Sequence, residues 1–564
     1  MNLDGRSIAE KLLLRENHVF LVLTILLGVF GGLSAVLFTL AIDATRNVLF
    51  GAAPSNWRLL AVPTIVSLVT GFLLARFFND ARGSGVPQTE AAYHLHQGVI
   101  PGRVAFGKFL TGALCVGSGH SMGREGPSVQ IGAGIASVLG RWLRLSPARV
   151  QSLVPIGAAA ALSAAFNTPV AAVLFALEEI IGDMNAALIG STVVASVTAV
   201  IVERSILGNE PLFRVPAYHL VHPAELIGYA VLGIVGGIVS VFFCKLLLRT
   251  RGLFKRMPGW TRTFQPAIGG LAIGVILVFV PQVMGVGYEH VDQALQGSLA
   301  LKTLVLLCGV KLVATIISYA SGNAGGIFAP SLFLGAMAGG AVGIVMHAWA
   351  PFPTGDPGAY ALVGMGTLFA GIIRVPMTSV FMIFELTQDY QILVPLMVAN
   401  LLSFLISRHF QPKAVYHALL EQDGVHLPGA ASRVTLGTLR ARDIMAREPL
   451  FLPEEGSIGE AWRIVEKDSS SSYLVGSREK LAGLVRRRDL EESVLSGRED
   501  VPVSSLVVPD PAHVHPDHSL ELVLERFRGS PGLLPVLSRG EVRRVEGVIT
   551  LEAIVRFVKS DPQA

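Results

Sequence analysis

A chain of 564 residues that is 51% hydrophobic and only 15% charged carries too little charge for a soluble globular protein, in which about 25% is usual. Most of it is therefore expected in lipid. The net charge of +4 is modest and is explained by basic loops on one membrane face, so no nucleic-acid partner is expected.

The N-terminus holds Arg6, Lys11 and Arg15, then 25 uncharged residues from His18. It has no clear small-residue cleavage site and reads as a retained first membrane helix rather than a signal peptide. Further uncharged runs follow at 59–75, 109–123, 126–140, 150–177, 184–202, 226–244, 264–288, 312–355, 357–373, 375–384 and 390–407. Some span a hydrocarbon core of about 30 Å, and those that are short or broken by Gly and Pro predict tilted or discontinuous helices. Cys115, Cys244 and Cys308 lie in apolar segments without metal-ligand spacing; they read as small buried hydrophobes, and no metal is expected.

Three glycine turns ending in proline punctuate these runs. They are Gly83-Ser84-Gly85-Val86-Pro87, Gly123-Arg124-Glu125-Gly126-Pro127 and Gly326-Ile327-Phe328-Ala329-Pro330. Proline suits a first helical turn, and glycine bares the backbone amides. Each turn thus points the positive end of a helix into the membrane, where it can hold an anion. In the second turn Glu125 would compete with that anion for the same amides. Ser84 adds a hydroxyl donor, which holds an anion less tightly than a lysine would.

The chain also repeats itself. Leu27 to Phe38 (LGVFGGLSAVLF) matches Leu232 to Phe243 (LGIVGGIVSVFF) at an offset of 205. Lys108 and Lys311 each precede a proline, Pro127 and Pro330, by 19 residues. Gly157, Pro169 and Glu178 match Gly364, Pro376 and Glu385 at an offset of 207. Two homologous membrane halves, about 18–217 and 223–418, follow. The loop at 45–58 carries only Arg46 and Arg58, whereas its counterpart holds Lys245, Arg249, Arg251, Lys255, Arg256 and Arg262. That imbalance places the two loops on opposite faces and predicts inverted repeats, with a site at the midplane where broken helices meet.

Charges inside or at the ends of apolar runs are functional candidates by default: Lys108, Arg124, Glu125, Glu178, Glu179, Lys311, Arg374 and Glu385. The repeat-equivalent pairs Lys108/Lys311 and Glu178/Glu385 suit structural roles. Glu179 faces Leu386 across the repeat, and Glu125 faces Phe328, so these two carboxylates break the symmetry. Tyr416, taken alone, reads as an interfacial aromatic. Residues 1–17 are expected to form a cytoplasmic N-terminus, 419–435 a linker, and 436–560 a charged α/β region. There FLPEEGSIGEAWRIV and AGLVRRRDL are echoed by HVHPDHSLELVLERF and EGVITLEAIV at offsets of 62 and 64.

The combination of GSGVP, GREGP and GIFAP resembles the three-part selectivity filter of the CLC family of chloride channels and chloride–proton exchangers, across 18–418. The tail resembles a tandem pair of CBS domains. The resemblance implies an all-α polytopic membrane fold of two inverted, homologous halves with discontinuous helices, plus a soluble α/β CBS pair. It implies homodimers with one pore per subunit, and chloride and protons as the species moved across the bilayer. Ser84, the amides of Ile327 and Phe328, and the Tyr416 hydroxyl match the residues that bind the central chloride. Glu125 matches the gating, external proton-transfer glutamate, and Glu179 the internal one. Ser84 stands where nitrate-selective relatives have proline, which favours chloride, and the intact GREGP argues against the fluoride-specific branch. The CBS ribose-binding pattern G-x-x-[ST]-x-x-D is incomplete: Gly483 and Asp489 flank Arg486, and Gly547 and Thr550 are followed by Ala553. No nucleotide or other cofactor is therefore expected, and a structural or dimerising role is.

The functional expectation is proton-coupled chloride exchange, favoured by the acid at Glu179. The alternatives are a passive voltage- or pH-gated chloride channel and a membrane-anchored CBS sensor. No Ser/His/Asp, HExxH or nucleotide-cradling pattern points to an enzyme; His120 reads as a packing or hydrogen-bonding residue. The expected location is a bacterial inner membrane with the CBS pair in the cytoplasm.

Overall fold

The computed structural model describes residues 4–554 apart from 52–53, 184–185, 210–212, 214, 216–219, 428–438, 469, 528–529 and 541–542. It divides into two compact units, Met1–Leu427 and Pro428–Ala564.

The first unit is helical, and its two halves match helix for helix. The first half comprises α1 (Asp4–Phe50), α2 (Asn56–Arg76), α3 (Val86–Leu95), α4 (Gly102–Gly117), α5 (Glu125–Trp142), α6 (Pro147–Phe166), α7 (Pro169–Phe175) and α8 (Ala186–Leu207). The second comprises α9 (Glu225–Arg256), α10 (Gln265–Phe279), α11 (Tyr288–Leu295), α12 (Leu301–Ala320), α13 (Phe328–Trp349), α14 (Pro357–Ile372), α15 (Pro376–Thr387) and α16 (Leu393–Phe410). Proline opens α6, α7, α14 and α15 at the position where its missing N–H costs nothing. Among the described residues, eight helical stretches are long and apolar enough to cross a bilayer. Others, such as α10, α14 and α15, are shorter apolar helices.

Packing obeys the repeat as well. α5 lies on α6 as α13 lies on α14, and α1 on α8 as α9 on α16. A Cβ on Gly132 would stand 2.3 Å from the Gly157 carbonyl oxygen, and one on the equivalent Gly335 2.2 Å from that of Gly364. Helices in lipid gain little from burial and associate through such close backbone approach.

The inverted orientation is visible in two reciprocal caps. Glu385, late in α15, accepts hydrogen bonds from the Val170 and Ala171 amides that open α7, at 2.9 and 2.8 Å. Glu178, just past α7, accepts from the Met377 and Thr378 amides that open α15, at 3.3 and 2.9 Å. The two equivalent helices therefore run antiparallel, each carboxylate sitting on the positive end of the other. Replacing Glu178 or Glu385 with alanine should cost about 1–2 kcal/mol in either case. The check is the thermal midpoint of the detergent-solubilised protein, which should fall by similar amounts for the two variants.

After α16 the chain forms α17 (Val415–Gln422), packed on α3 and α9. This corrects the expected linker at 419–435: residues 419–422 are helical, and Asp423 is held by Arg251 and Lys255 at 2.8 and 2.6 Å. Residues 428–435 lie outside the described residues.

The second unit holds two copies of one pattern. In the first, β1 (Phe451–Leu452) pairs in parallel with β2 (Ser472–Gly476), which pairs antiparallel with β3 (Leu481–Arg486). In the second, Val514 forms a parallel bridge to Val536 in β4 (Leu533–Leu537), which pairs antiparallel with β5 (Val545–Thr550). Each copy has its own apolar core, and Leu474, Leu484, Leu533 and Val548 join in a third cluster between them. The two glycines of the incomplete nucleotide pattern have packing reasons. A Cβ on Gly483 would stand 2.3 Å from the Val508 oxygen, and one on Gly547 2.6 Å from the Ala446 oxygen.

Candidate functional site

The three glycine turns meet. Gly123 and Gly326, which are repeat equivalents, exchange reciprocal backbone hydrogen bonds of 2.8 Å, so the local two-fold relation of the halves runs between them. Gly83 joins the other side: its amide donates to Asn323 at 3.3 Å, and its carbonyl accepts from Gly325 at 3.1 Å. Gly83 and Gly85 have φ of +73° and +105°, conformations that glycine adopts without a Cβ penalty. From this seam α3, α5 and α13 depart, starting at Val86, Glu125 and Phe328. First-turn amides of a helix have no acceptor within it, and here three positive helix ends share one buried region.

Ser84 and Tyr416 complete the enclosure. Both are fully buried, and neither hydroxyl has a hydrogen-bond partner among the described residues. The two side chains lie beside each other. The pocket is tight, because a Cβ on Gly126 would stand 2.4 Å from Ser84 Oγ and 3.3 Å from the Cα of Gly326. Ile327 and Phe328 are buried at the same seam, and the Phe328 ring packs on Phe166, Phe175 and Phe369 with centroids 5.0, 5.6 and 4.3 Å away. Buried hydroxyl donors without acceptors are costly, whereas donors converging with helix N-termini suit a proton-free anion. Burial corrects the view of Tyr416 as an interfacial aromatic: the turn after α16 carries it back into the core.

Glu125, the first residue of α5, is also fully buried. Its Oε1 accepts from the Tyr288 hydroxyl at 2.8 Å. Its Oε2 has no hydrogen-bond partner among the described residues and folds back over Gly123, 2.2 Å from where a Cβ would stand. Arg124 donates to Thr39 Oγ1 at 3.0 Å and the Ala165 carbonyl at 3.2 Å, and its guanidinium lies over the Tyr288 ring, 5.7 Å from the centroid. A cleft of about 210 Å³ lined by Arg46, Arg124, Tyr288 and His290 adjoins this side.

Tyr288 was not singled out from the sequence, and neither was the turn that carries it. Gly285-Val286-Gly287 has φ of +58° and +82° at its glycines and is the second half's counterpart of Gly83-Ser84-Gly85. The signal was present in the spacing. Lys108 donates to the Gly83 carbonyl 25 residues before it, at 2.8 Å, and Lys311 donates to Gly285 26 residues before it, at 2.7 Å. The paired lysines are thus braces for paired turns, as their equivalence suggested.

Glu179 lies in a π-helical turn, Ala176–Ile181, that continues α7. It is buried, and its Oε1 has no hydrogen-bond partner among the described residues. Such turns add a residue to the helix and cluster at functional sites; here the turn lets adjacent glutamates point differently, Glu178 to its cap and Glu179 into the core. Glu125 and Glu179 both lie within electrostatic reach of Tyr416. His120 is buried between Ser67 and Ser318, at 2.6 and 3.3 Å. Arg374 holds the carbonyls of Ser407, in the last turn of α16, and of Gln411 and Pro412 just after it. Among the described residues no group of three or more His, Cys, Asp or Glu is placed to hold a metal.

A fold of two inverted halves meeting at buried helix ends, with two buried hydroxyls at the seam, defines a membrane transport protein. The model of the voltage gated chloride channel family matches residues 66–408, and the chain belongs to that family. CBS domain models match 441–496 and 503–560. An H(+)/Cl(-) exchange transporter, ClcA, of Yersinia pestis bv. Antiqua is 32% identical over 416 residues, covering 71% of this chain and 87% of that protein. A transporter of the same name from Vibrio cholerae is 30% identical over 416 residues, covering 71% and 89%. Among solved structures, a slow cyanobacterial Cl-/H+ antiporter superposes with a TM-score of 0.65 at 27% identity, covering 72% of this chain and 97% of its own. A eukaryotic CLC transporter shares the fold over 95% of this chain and 97% of its own, with a TM-score of 0.62 at 22% identity.

Proposed function

We propose that this protein exchanges chloride for protons across a membrane. The observation that carries the reading is the placement of two buried carboxylates, Glu125 and Glu179, around the unpartnered hydroxyls of Ser84 and Tyr416. Chloride would be held by those hydroxyls and by the amides of Ile327 and Phe328 at the start of α13. Gly83, Gly85, Val86 and Pro87, with Gly123, Gly126 and Pro127 and with Gly326, Ala329 and Pro330, shape the passage. Glu125 would act as a removable anion. As a carboxylate it competes with chloride for helix ends; once protonated it loses that attraction, swings out and gives its proton to one face. Glu179 would exchange protons with the other face, and the names of the relatives support coupling between the two.

The active unit in this reading is a homodimer with a pore in each subunit, in a bacterial inner membrane with the CBS pair in the cytoplasm. The incomplete ribose pattern and the packing roles of Gly483 and Gly547 favour a structural CBS pair without a bound nucleotide.

The test is reconstitution in liposomes under a chloride gradient with external pH recorded. Chloride running down its gradient should drive protons uphill. Chloride flux without proton movement in the unmutated protein would replace the exchanger by the passive channel.

A further inference from the structure

Glu179 is buried, so protons need a route to it from water. Its sequence neighbour Glu178 is a poor carrier: one oxygen accepts from the Met377 amide at 3.3 Å, the other from the Thr378 amide and hydroxyl at 2.9 Å each. Protonating Glu178 would undo the cap on α15. A third carboxylate stands close by. Glu90, on α3, is 2% exposed, and it joins Glu178 as one of the two carboxylates whose charges reach Glu179. α3 packs on the π-helical turn that carries Glu179 and on α17. From α17, His417 Nε2 lies 2.7 Å from Glu90 Oε1. The His417 side chain is 49% exposed and that of Glu90 3%. The three groups thus form a graded series, from a half-exposed imidazole to a buried carboxylate.

Resting on the exchanger reading above, we propose that His417 and Glu90 form the proton entry to Glu179. The step balances as three transfers. A hydronium ion protonates the imidazole at Nδ1 and becomes water, and the imidazolium gives its Nε2 proton to the Glu90 carboxylate. The neutral Glu90 acid then passes a proton to the Glu179 carboxylate and returns to its charged form. The net result is one proton moved from solvent to Glu179, with Glu90 restored and His417 left as the Nδ1–H tautomer, which proton exchange with water at its exposed side or a ring flip resets. Imidazole suits the outer position because its ordinary pKa places both forms within reach near neutral pH. A buried acid between two titrating groups is the usual material of intramembrane proton relays.

Several charged groups on the neighbouring elements have other partners. Arg251 and Lys255 of α9 bind Asp423, and Arg251 also holds the Leu419 carbonyl at the end of α17. Lys413, just before α17, pairs with Glu421. On the π-helical turn Glu178 is held at its cap. His94 shares α3 with Glu90.

The test uses the full chain in liposomes, with proton uptake driven by a chloride gradient. His417→Gln and Glu90→Gln should each slow proton transport by at least about tenfold. In His417→Gly, free imidazole added on the face carrying α17 should restore the rate; in Glu90→Gln it should not. Chloride affinity by titration calorimetry should stay unchanged in all three, which separates a proton path from a damaged fold. Undiminished proton transport in His417→Gln or Glu90→Gln overturns the relay, as does a loss that imidazole cannot rescue in His417→Gly or one accompanied by lost chloride affinity. Glu179→Gln run in parallel distinguishes the two readings. If the unmutated protein couples and Glu179→Gln does not, the exchanger stands whatever His417 does. If the unmutated protein moves no protons, the exchanger reading fails and takes the relay with it.

Discussion

In Glu125→Ala, chloride should still cross the membrane while proton movement falls by at least about a hundredfold. The expectation follows from what the side chain does in the fold. The Glu125 carboxylate is buried at the first turn of its own helix, anchored through one oxygen to Tyr288 at 2.8 Å. Its other oxygen lies over the Gly123 turn, in the region where α13 begins. A carboxylate there is an anion at a helix end. Alanine removes both the plug and the titrating group, so the amides remain open to chloride and nothing carries the proton. Paired recordings of chloride and pH in liposomes read both fluxes at once. Proton pumping that survives in Glu125→Ala would remove this residue from the mechanism.

Gly126→Ala should cost about 2 kcal/mol of chloride binding, roughly 30-fold in affinity. A methyl group at Gly126 would stand 2.4 Å from Ser84 Oγ, 2.8 Å from the Ser84 carbonyl oxygen and 3.3 Å from the Gly326 Cα. Two of those three atoms are backbone, held by the hydrogen-bonded seam of the glycine turns, so relaxation has to come from the Ser84 side chain, which is the proposed ligand. Gly252→Ala is the matched control, because a Cβ there meets nothing within 4 Å. Titration calorimetry with chloride measures both variants. Equal affinities would mean that the Ser84 side of the seam does not hold the anion.

The glycine turns, the repeat and the two symmetry-breaking glutamates were legible in the chain because each is a local pattern or a comparison of two local patterns. A glycine turn ending in proline favours the start of a helix, since amide exposure and proline's fixed φ are properties of a few consecutive residues. Equivalence across the halves likewise assigned Lys108 with Lys311, and Glu178 with Glu385, to structural tasks before any contact was known.

What each of those tasks is could be decided only by the folded protein. Glu385 caps a helix 214 residues away, Tyr288 reaches Glu125 across 163 residues, and His417 reaches Glu90 across 327. None of these distances is encoded by spacing; they follow from two halves packed antiparallel. The π-helical turn at Ala176–Ile181 leaves no mark in residue periodicity, yet within it Glu178 reaches its cap and Glu179 is buried in the core. Tyr416 is the clearest case. In the sequence it follows the last apolar segment like an interfacial anchor, and only the return of α17 against α3 and α9 buries its hydroxyl beside Ser84. By itself the sequence determined that helix ends would face an anion inside a membrane, because dipole and amide exposure are local. The tertiary structure decided which hydroxyls and carboxylates share that site, because burial and proximity belong to the whole fold.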